Sequence, residues 1–238
     1  CLAALYESWS IPIAIILDNH SLARWQQDAL DHVKEYLEVK LILNCQNTKN
    51  QRNLFQHFIY YVINFFSLKN TLSSCVEYEN TNHSETINFS SKYKGSWQII
   101  PENIANKILE NDIKLVIKFG MSLLAINDSL QKIDILSFHH GDPEKYRGRP
   151  AGFYEIYHDA DKVGIIVQKL SNTLDGGEVY AKGYSKIFNY SYKKTALNFF
   201  SNSKYIFKHA IVNYISNKPI KQKNLGENFR LPSNSTSI

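Results

Sequence analysis

An α/β fold, with a mostly parallel twisted sheet flanked by helices, is what this sequence predicts, and three observations lead there. The apolar run at 11–17 ends at once in Asp18-Asn-His-Ser21, 113–119 reads as a second buried strand closed by Gly120, and the largely apolar 133–136 turns polar within one residue. Runs that are apolar on both faces suit central parallel strands. Between the first run and another at 39–43, Leu22, Trp25, Ala29, Val33 and Leu37 recur at helical spacing, and strand, helix, strand in that order implies a right-handed crossover. Finally, 238 residues, 44% apolar and rich in aromatics, suffice for the core of one α/β domain or a domain with a small appendage.

The elements follow in order. Asn19 or Ser21 is the expected N-cap of the first helix. The turn 18–21 has no glycine, so it cannot bring its backbone against a pyrophosphate, and dinucleotide binding there is not expected. It can still offer a polar ligand a helix N-terminus; otherwise His20 is a surface turn residue. Leu54, Phe55, Phe58, Ile59, Val62, Phe65 and Phe66 form a helical stripe over 51–67, read as core packing. Residues 72–78 suit a strand, and polar 79–94 a surface loop. Pro101 opens a short helix to Glu110; 121–130 is loop or short helix, 150–157 a short helix. Strands at 163–170 and 179–187 flank a turn at 171–177 dense in Asn, Asp and Gly. Tyr192, Ala196, Phe199, Phe200, Phe207, Ile211 and Tyr214 line one face of a long helix over 191–215, and the tail after it reads as loose polar chain or a lead into something further.

Composition narrows the function classes. The net charge is +5 but scattered, which describes a solvated surface rather than a nucleic-acid footprint. Cys1, Cys45 and Cys75 are odd in number and form no CxxC, so a reduced cytoplasmic setting is expected, with no metal site. No apolar run approaches the ~18 residues that span a bilayer, and no signal peptide is evident. The chain begins at Cys1 rather than Met, and so reads as a candidate fragment of something longer.

Chemistry concentrates in two polar turns at strand ends, 137–149 and 171–177. In an open α/β sheet, ligands sit outside the carboxyl ends of the strands. His139 and Asp175 are separated by a helix and a strand, a spacing that lets both reach one cleft. A His–Asp pair makes a tuned acid/base; the alternative is a hydrogen-bonded strand-end histidine and an aspartate capping a Gly-Gly turn.

Leu136-Ser-Phe-His139, then Tyr146-Arg-Gly148 and Pro150, an intervening helix, the strand at 163–167, and Leu174-Asp-Gly-Gly177 resemble the folate-dependent formyltransferases. That group includes methionyl-tRNA, glycinamide ribonucleotide and sugar-amine enzymes. The resemblance is sharp over 113–187 and topological over 11–67. It implies a Rossmann-like formyltransferase fold with an antiparallel strand near the C-terminal side. Residues 1–190 would be the catalytic domain, and 191–238 a helix packing on it plus a polar tail, a candidate truncated end. It implies transfer of a formyl group from 10-formyltetrahydrofolate to a primary amine, with His139 and Asp175 as catalytic residues. Phe119, Gly120, Met121, Leu123 and Leu124 would form one side of a pterin pocket, and Thr173, Leu174 and Gly176 the other. For 119–124 the plainer reading is a strand exit in which Gly120 serves its own dihedrals. His140, Tyr146, Arg147 and Gly148 would face the acceptor. Tyr146, Arg147 and Arg149 suit a phosphate or sugar, although Arg147 also reads as a loop buttress.

One departure stands out. The family pattern has Asn two residues before the histidine; here it is Ser137. Losing an oxyanion donor of that kind costs about 10²–10³ in rate. Ser137 donating through water, His140 or another group taking over, and drifted chemistry are the options. A tRNA enzyme would carry a further C-terminal domain, and 216–238 is too short for one unless the chain is truncated. A glycinamide ribonucleotide enzyme would carry a Gly-rich phosphate loop after the first strand, and 18–21 is not one. A small amino-sugar acceptor, free or nucleotide-linked, is left by elimination. A formylfolate hydrolase and a catalytically silent folate- or sugar-binding module are the alternatives; an oligomer is open.

Overall fold

The computed structural model describes residues 10–47, 57–67, 70–78 and 84–235. In chain order its elements are β1 (Ile11–Asp18), β2 (Ser21–Ala23), α1 (Arg24–Asp31), β3 (Leu37–Cys45), α2 (Phe58–Ser67), β4 (Cys75–Glu77), β5 (Glu85–Phe89), β6 (Lys92–Lys94), β7 (Trp97–Ile99), α3 (Glu102–Glu110), β8 (Leu115–Lys118), β9 (Leu123–Leu124), β10 (Asp134–His139), β11 (Tyr146–Gly148), α4 (Phe153–Tyr157), β12 (Lys162–Lys169), β13 (Glu178–Lys186), α5 (Tyr192–Ile215) and β14 (Glu227–Phe229).

The central sheet runs β5-β3-β1-β8-β10-β12-β13. The first five strands are parallel and the last two antiparallel. Residues 13–17 of β1 are fully buried because the strand lies at the centre with a layer on each face. Ile13, Ile15 and Leu17 pack with Leu136, Val167, Phe207 and Ile211 beneath α1 and α5. Ala14 and Ile16 pack with Ile104 and Ile108 of α3 on the other face. Alternation along a strand sends successive side chains to opposite layers. The same alternation sorts the chemistry-bearing residues at the strand ends.

Four expectations change. Ser21 and Asn19 do not cap α1: 21–23 forms β2, and the cap is Ala23, whose N–H donates to Gln26 Oε1 at 2.8 Å. The polar stretch after 84 is not all loop. Glu85–Phe89 adds a parallel strand to β3, with Phe89 buried and Glu85, Thr86 and Asn88 exposed, as a sheet edge allows. The first residues of that expected loop, 79–83, lie outside the described residues, as do Leu54 and Phe55 of the expected stripe, Cys1 and 236–238. In α2, Tyr60 is buried and packs toward Phe153, but Phe58, Val62 and Phe65 are exposed, so that stripe is not core. Finally, the tail is not loose. It runs back across the molecule, with β14 parallel to β11 and Ile220 bridged to Val179. Among the described residues no helix is long and apolar enough to cross a membrane.

Candidate active site

A cleft of about 960 Å³ opens at the carboxyl ends of β8 and β10. Ser137 and Lys118 are in register on adjacent strands. Their side chains share a face of the sheet with each other, with His139 two residues on, and with Asp18 at the end of β1. On the other side, the β12–β13 turn brings in Thr173, Leu174 and Asp175; Trp97, Leu123 and Leu124 add an apolar wall.

His139 is held from both sides. Its Nδ1 is 3.3 Å from Asp175 Oδ1, and its Nε2 is 3.1 Å from the Tyr146 carbonyl oxygen. The two side chains are only 9% and 10% exposed. Either neutral tautomer donates to one of these oxygens, while a protonated ring donates to both. Asp175 is itself fixed: Gly148 N–H donates to Oδ2 at 2.8 Å. Its φ of 50° turns the chain sharply, which aims the carboxylate back at the histidine. Gln168, buried near the end of β12, accepts from Gly177 N–H through Oε1 at 3.1 Å.

The residues singled out from sequence separate into groups. Ser137, His139, Asp175, Leu123, Leu124, Thr173, Leu174 and Gly148 line the cleft. Arg147 does not face it: Nε donates to the Gly226 carbonyl at 2.8 Å, and a second guanidinium N–H to the Leu174 carbonyl at 3.3 Å. It ties loop, turn and tail together. Tyr146 stacks with Phe229 and His158 while its carbonyl holds His139. Gly120 is pressed against β1, where a Cβ would stand 2.5 Å from the Leu17 carbonyl carbon. Met121 is buried in the α3 layer, and Phe119 stacks with Phe138. Gly176 sits in the turn. His140, expected at the acceptor, points away, because consecutive strand residues face opposite layers. It packs among Trp25, Phe138, Phe199 and Phe200 and reaches Ser203 Oγ at 2.8 Å. Desolvation there, helped by the charge of His139, pushes its imidazole pKa down to about 3, so at neutral pH the ring is uncharged.

Sequence reasoning missed much of the wall. Asn228, Phe229, Arg230 and Leu231 of the tail line the cleft, as do Trp97, His57, Gln168 and Lys118. Only Lys118 carried a signal: it is the cation that interrupts an otherwise apolar strand end. The tail has no periodicity that would announce β14.

Behind the Tyr146–Gly148 strand is a void of about 10 Å³ lined by Glu155, His139, Arg149 and Phe229, among others. Glu155 is 2% exposed, and its Oε1 has no hydrogen-bond partner. Desolvation raises its pKa from 4.5 to about 7; the charge of Asp142 adds to this, and the N–H groups of Glu155 and Gly152 oppose it. The folded chain therefore holds a proton here that the unfolded chain releases between pH 4.5 and 7. Stability falls as pH rises through that window and stays lower above it. Glu155→Gln, which cannot ionise, is expected to gain roughly 2–4 kcal/mol relative to wild type between pH 5 and pH 8.5 in paired urea melts. An unchanged difference would show that the carboxyl ionises freely in the fold.

No protein-family model matches the sequence, and no curated protein matches it. Solved structures do. A glycinamide ribonucleotide transformylase from Symbiobacterium toebii superposes with a TM-score of 0.61 at 12% identity, over 94% of this chain and 98% of that one. A formyltetrahydrofolate deformylase from Pseudomonas putida KT2440 gives 0.56 at 14%, over 87% of this chain and 66% of that one, so this chain spans about two thirds of its length. An N-formyltransferase from Helicobacter canadensis, solved with folinic acid and dTDP-3-aminofucose, gives 0.55 at 16%, over 92% and 70%. With a parallel sheet that turns antiparallel at β12 and a cleft at its carboxyl edge, the chain has the formyltransferase fold.

Proposed function

We propose that this chain transfers a formyl group from 10-formyltetrahydrofolate to the primary amine of a small acceptor. The observation that supports this most directly is His139, clasped between Asp175 and the Tyr146 carbonyl at the floor of the cleft. The apolar wall of Trp97, Leu123, Leu124 and Leu174, interrupted by polar groups of the turn, suits a flat heteroaromatic ring that needs both stacking and hydrogen bonds. The folate is consumed as a substrate. The acceptor amine attacks the formyl carbon, a C–N bond forms, and the carbonyl electron pair moves onto oxygen. The pair returns as the bond to the folate nitrogen breaks. The proton lost by the amine ends on that nitrogen, and His139, oriented by Asp175, is the group able to hold and pass it once Nε2 turns from the Tyr146 carbonyl to the substrate. Arg149 and Arg230 line the same cleft and favour an acceptor bearing negative charge, such as a phosphate-linked amino-sugar. The proposal places this reaction in the cytoplasm, with no metal.

Incubating the full chain with 10-formyltetrahydrofolate and a panel of amino-sugars tests the reading. Tetrahydrofolate release that requires the amine is expected. Release without an amine would make the chain a deformylase, and tight folate binding without turnover a silent binding module.

A further inference from the structure

We propose that Lys118 donates the hydrogen bond that holds the oxyanion formed as the amine attacks. The inference rests on the formyl-transfer reading of the cleft. An acyl-transfer site needs a donor preorganised where the carbonyl pair accumulates. On the sheet side of the cleft the donors near His139 are few; Arg149, Asn228 and Arg230 line it from the loop and the tail. The two ring nitrogens of His139 already face Asp175 and Tyr146. Gln168 is turned toward Gly177 and Asp175. Ser137 offers one hydroxyl on a short stem. Lys118 lies directly beside Ser137 in the parallel register, on a strand locked between β1 and β10. Parallel neighbours are ~4.8 Å apart, and a lysine side chain reaches across that gap over a serine, which leaves the space open. Among the described residues its ammonium makes one hydrogen bond, to the Ser122 carbonyl at 3.2 Å, so two of its three N–H groups remain for the cleft.

The charges around it are Asp18 on β1, Asp175 on the β12–β13 turn, and His139 on β10 when protonated. Desolvation lowers the pKa of Lys118 to about 8, against the raising effect of Asp18 and Asp175. At pH 7 the ammonium form prevails. If that form is required, kcat is full below pH 8 and falls as pH rises through it.

Steady-state kinetics and folate titrations on Lys118 variants of the full chain, with Trp97 fluorescence reporting folate binding, test the assignment. Lys118→Met is expected to lose about 10²–10³ in kcat, with folate affinity within threefold of wild type. Lys118→Arg, charged at all accessible pH, is expected to retain turnover and move the alkaline limb upward. Adding Ser137→Asn to Lys118→Met puts an amide donor on the neighbouring strand, and at least tenfold recovery is expected, which a merely structural lysine would not give. A Met variant within threefold of wild-type kcat overturns the assignment, and so does one that loses folate affinity while keeping kcat. Wild-type chain with no turnover overturns the formyl-transfer reading itself, and the oxyanion role with it.

Discussion

His139→Ala is expected to lower formyl transfer by at least ~10³-fold while the chain remains folded. Positioned acid–base groups contribute about 10²–10⁴, and the adjacent imidazole cannot substitute. His140 faces the opposite layer, locked among rings and uncharged at neutral pH. The fold should tolerate the loss, because His139 ends β10 at the cleft floor and Asp175 keeps its bond from Gly148 N–H. Asp175→Asn is expected to cost about 10²-fold or more: the amide still fills the turn but no longer favours the protonated ring. Since the two residues act as one unit, the double variant should be hardly slower than His139→Ala alone. Single-turnover rates, with circular dichroism as the folding control, check this. Wild-type rates in either single variant would remove the pair from the mechanism.

Gly148→Val is expected to open the cleft and raise KM for folate and acceptor by tenfold or more. Gly148 has φ +84°, and a Cβ there would drive into the Phe229 carbonyl. Positive φ costs a β-branched residue about 1–3 kcal/mol, and the clash adds to that. The pairing of β11 with β14 should give way first, since the clash falls on it; the tail keeps other ties, among them Arg147 Nε to the Gly226 carbonyl, Tyr154 Oη to the Arg230 carbonyl, and the stacks of Tyr146 and Tyr154 on Phe229. With it the cleft loses Asn228, Phe229, Arg230 and Leu231 from its wall. Limited proteolysis should show faster cutting near 221–226, while the central sheet melts as in wild type. Unchanged KM and cleavage would mean that the tail does not shape the site.

The central strands were legible because burial on both faces leaves runs of Ile, Leu and Val, as at 11–17. The long C-terminal helix was legible because Ala196, Phe199, Phe207 and Ile211 must meet the sheet together. His139 and Asp175 were legible as a pair, both through the resemblance and through their place at strand ends, and the structure sets them 3.3 Å apart. The edge strand Glu85–Phe89 was not legible: with one face in solvent it carries Glu, Thr and Asn, and reads as loop. The facing of His140 was not legible either, since in a two-residue run only the phase of the strand says which ring meets the cleft.

By itself, then, the sequence determined the layered α/β core and the two turns that carry the His–Asp pair, because burial and turn geometry restrict residue type locally. The tertiary structure alone decided that Lys118 stands beside Ser137 and that residues 228–231 close the wall. Both depend on register between segments distant in the chain. The backbone hydrogen bonds that set such register are the same for every residue type, so they leave no mark in composition or spacing.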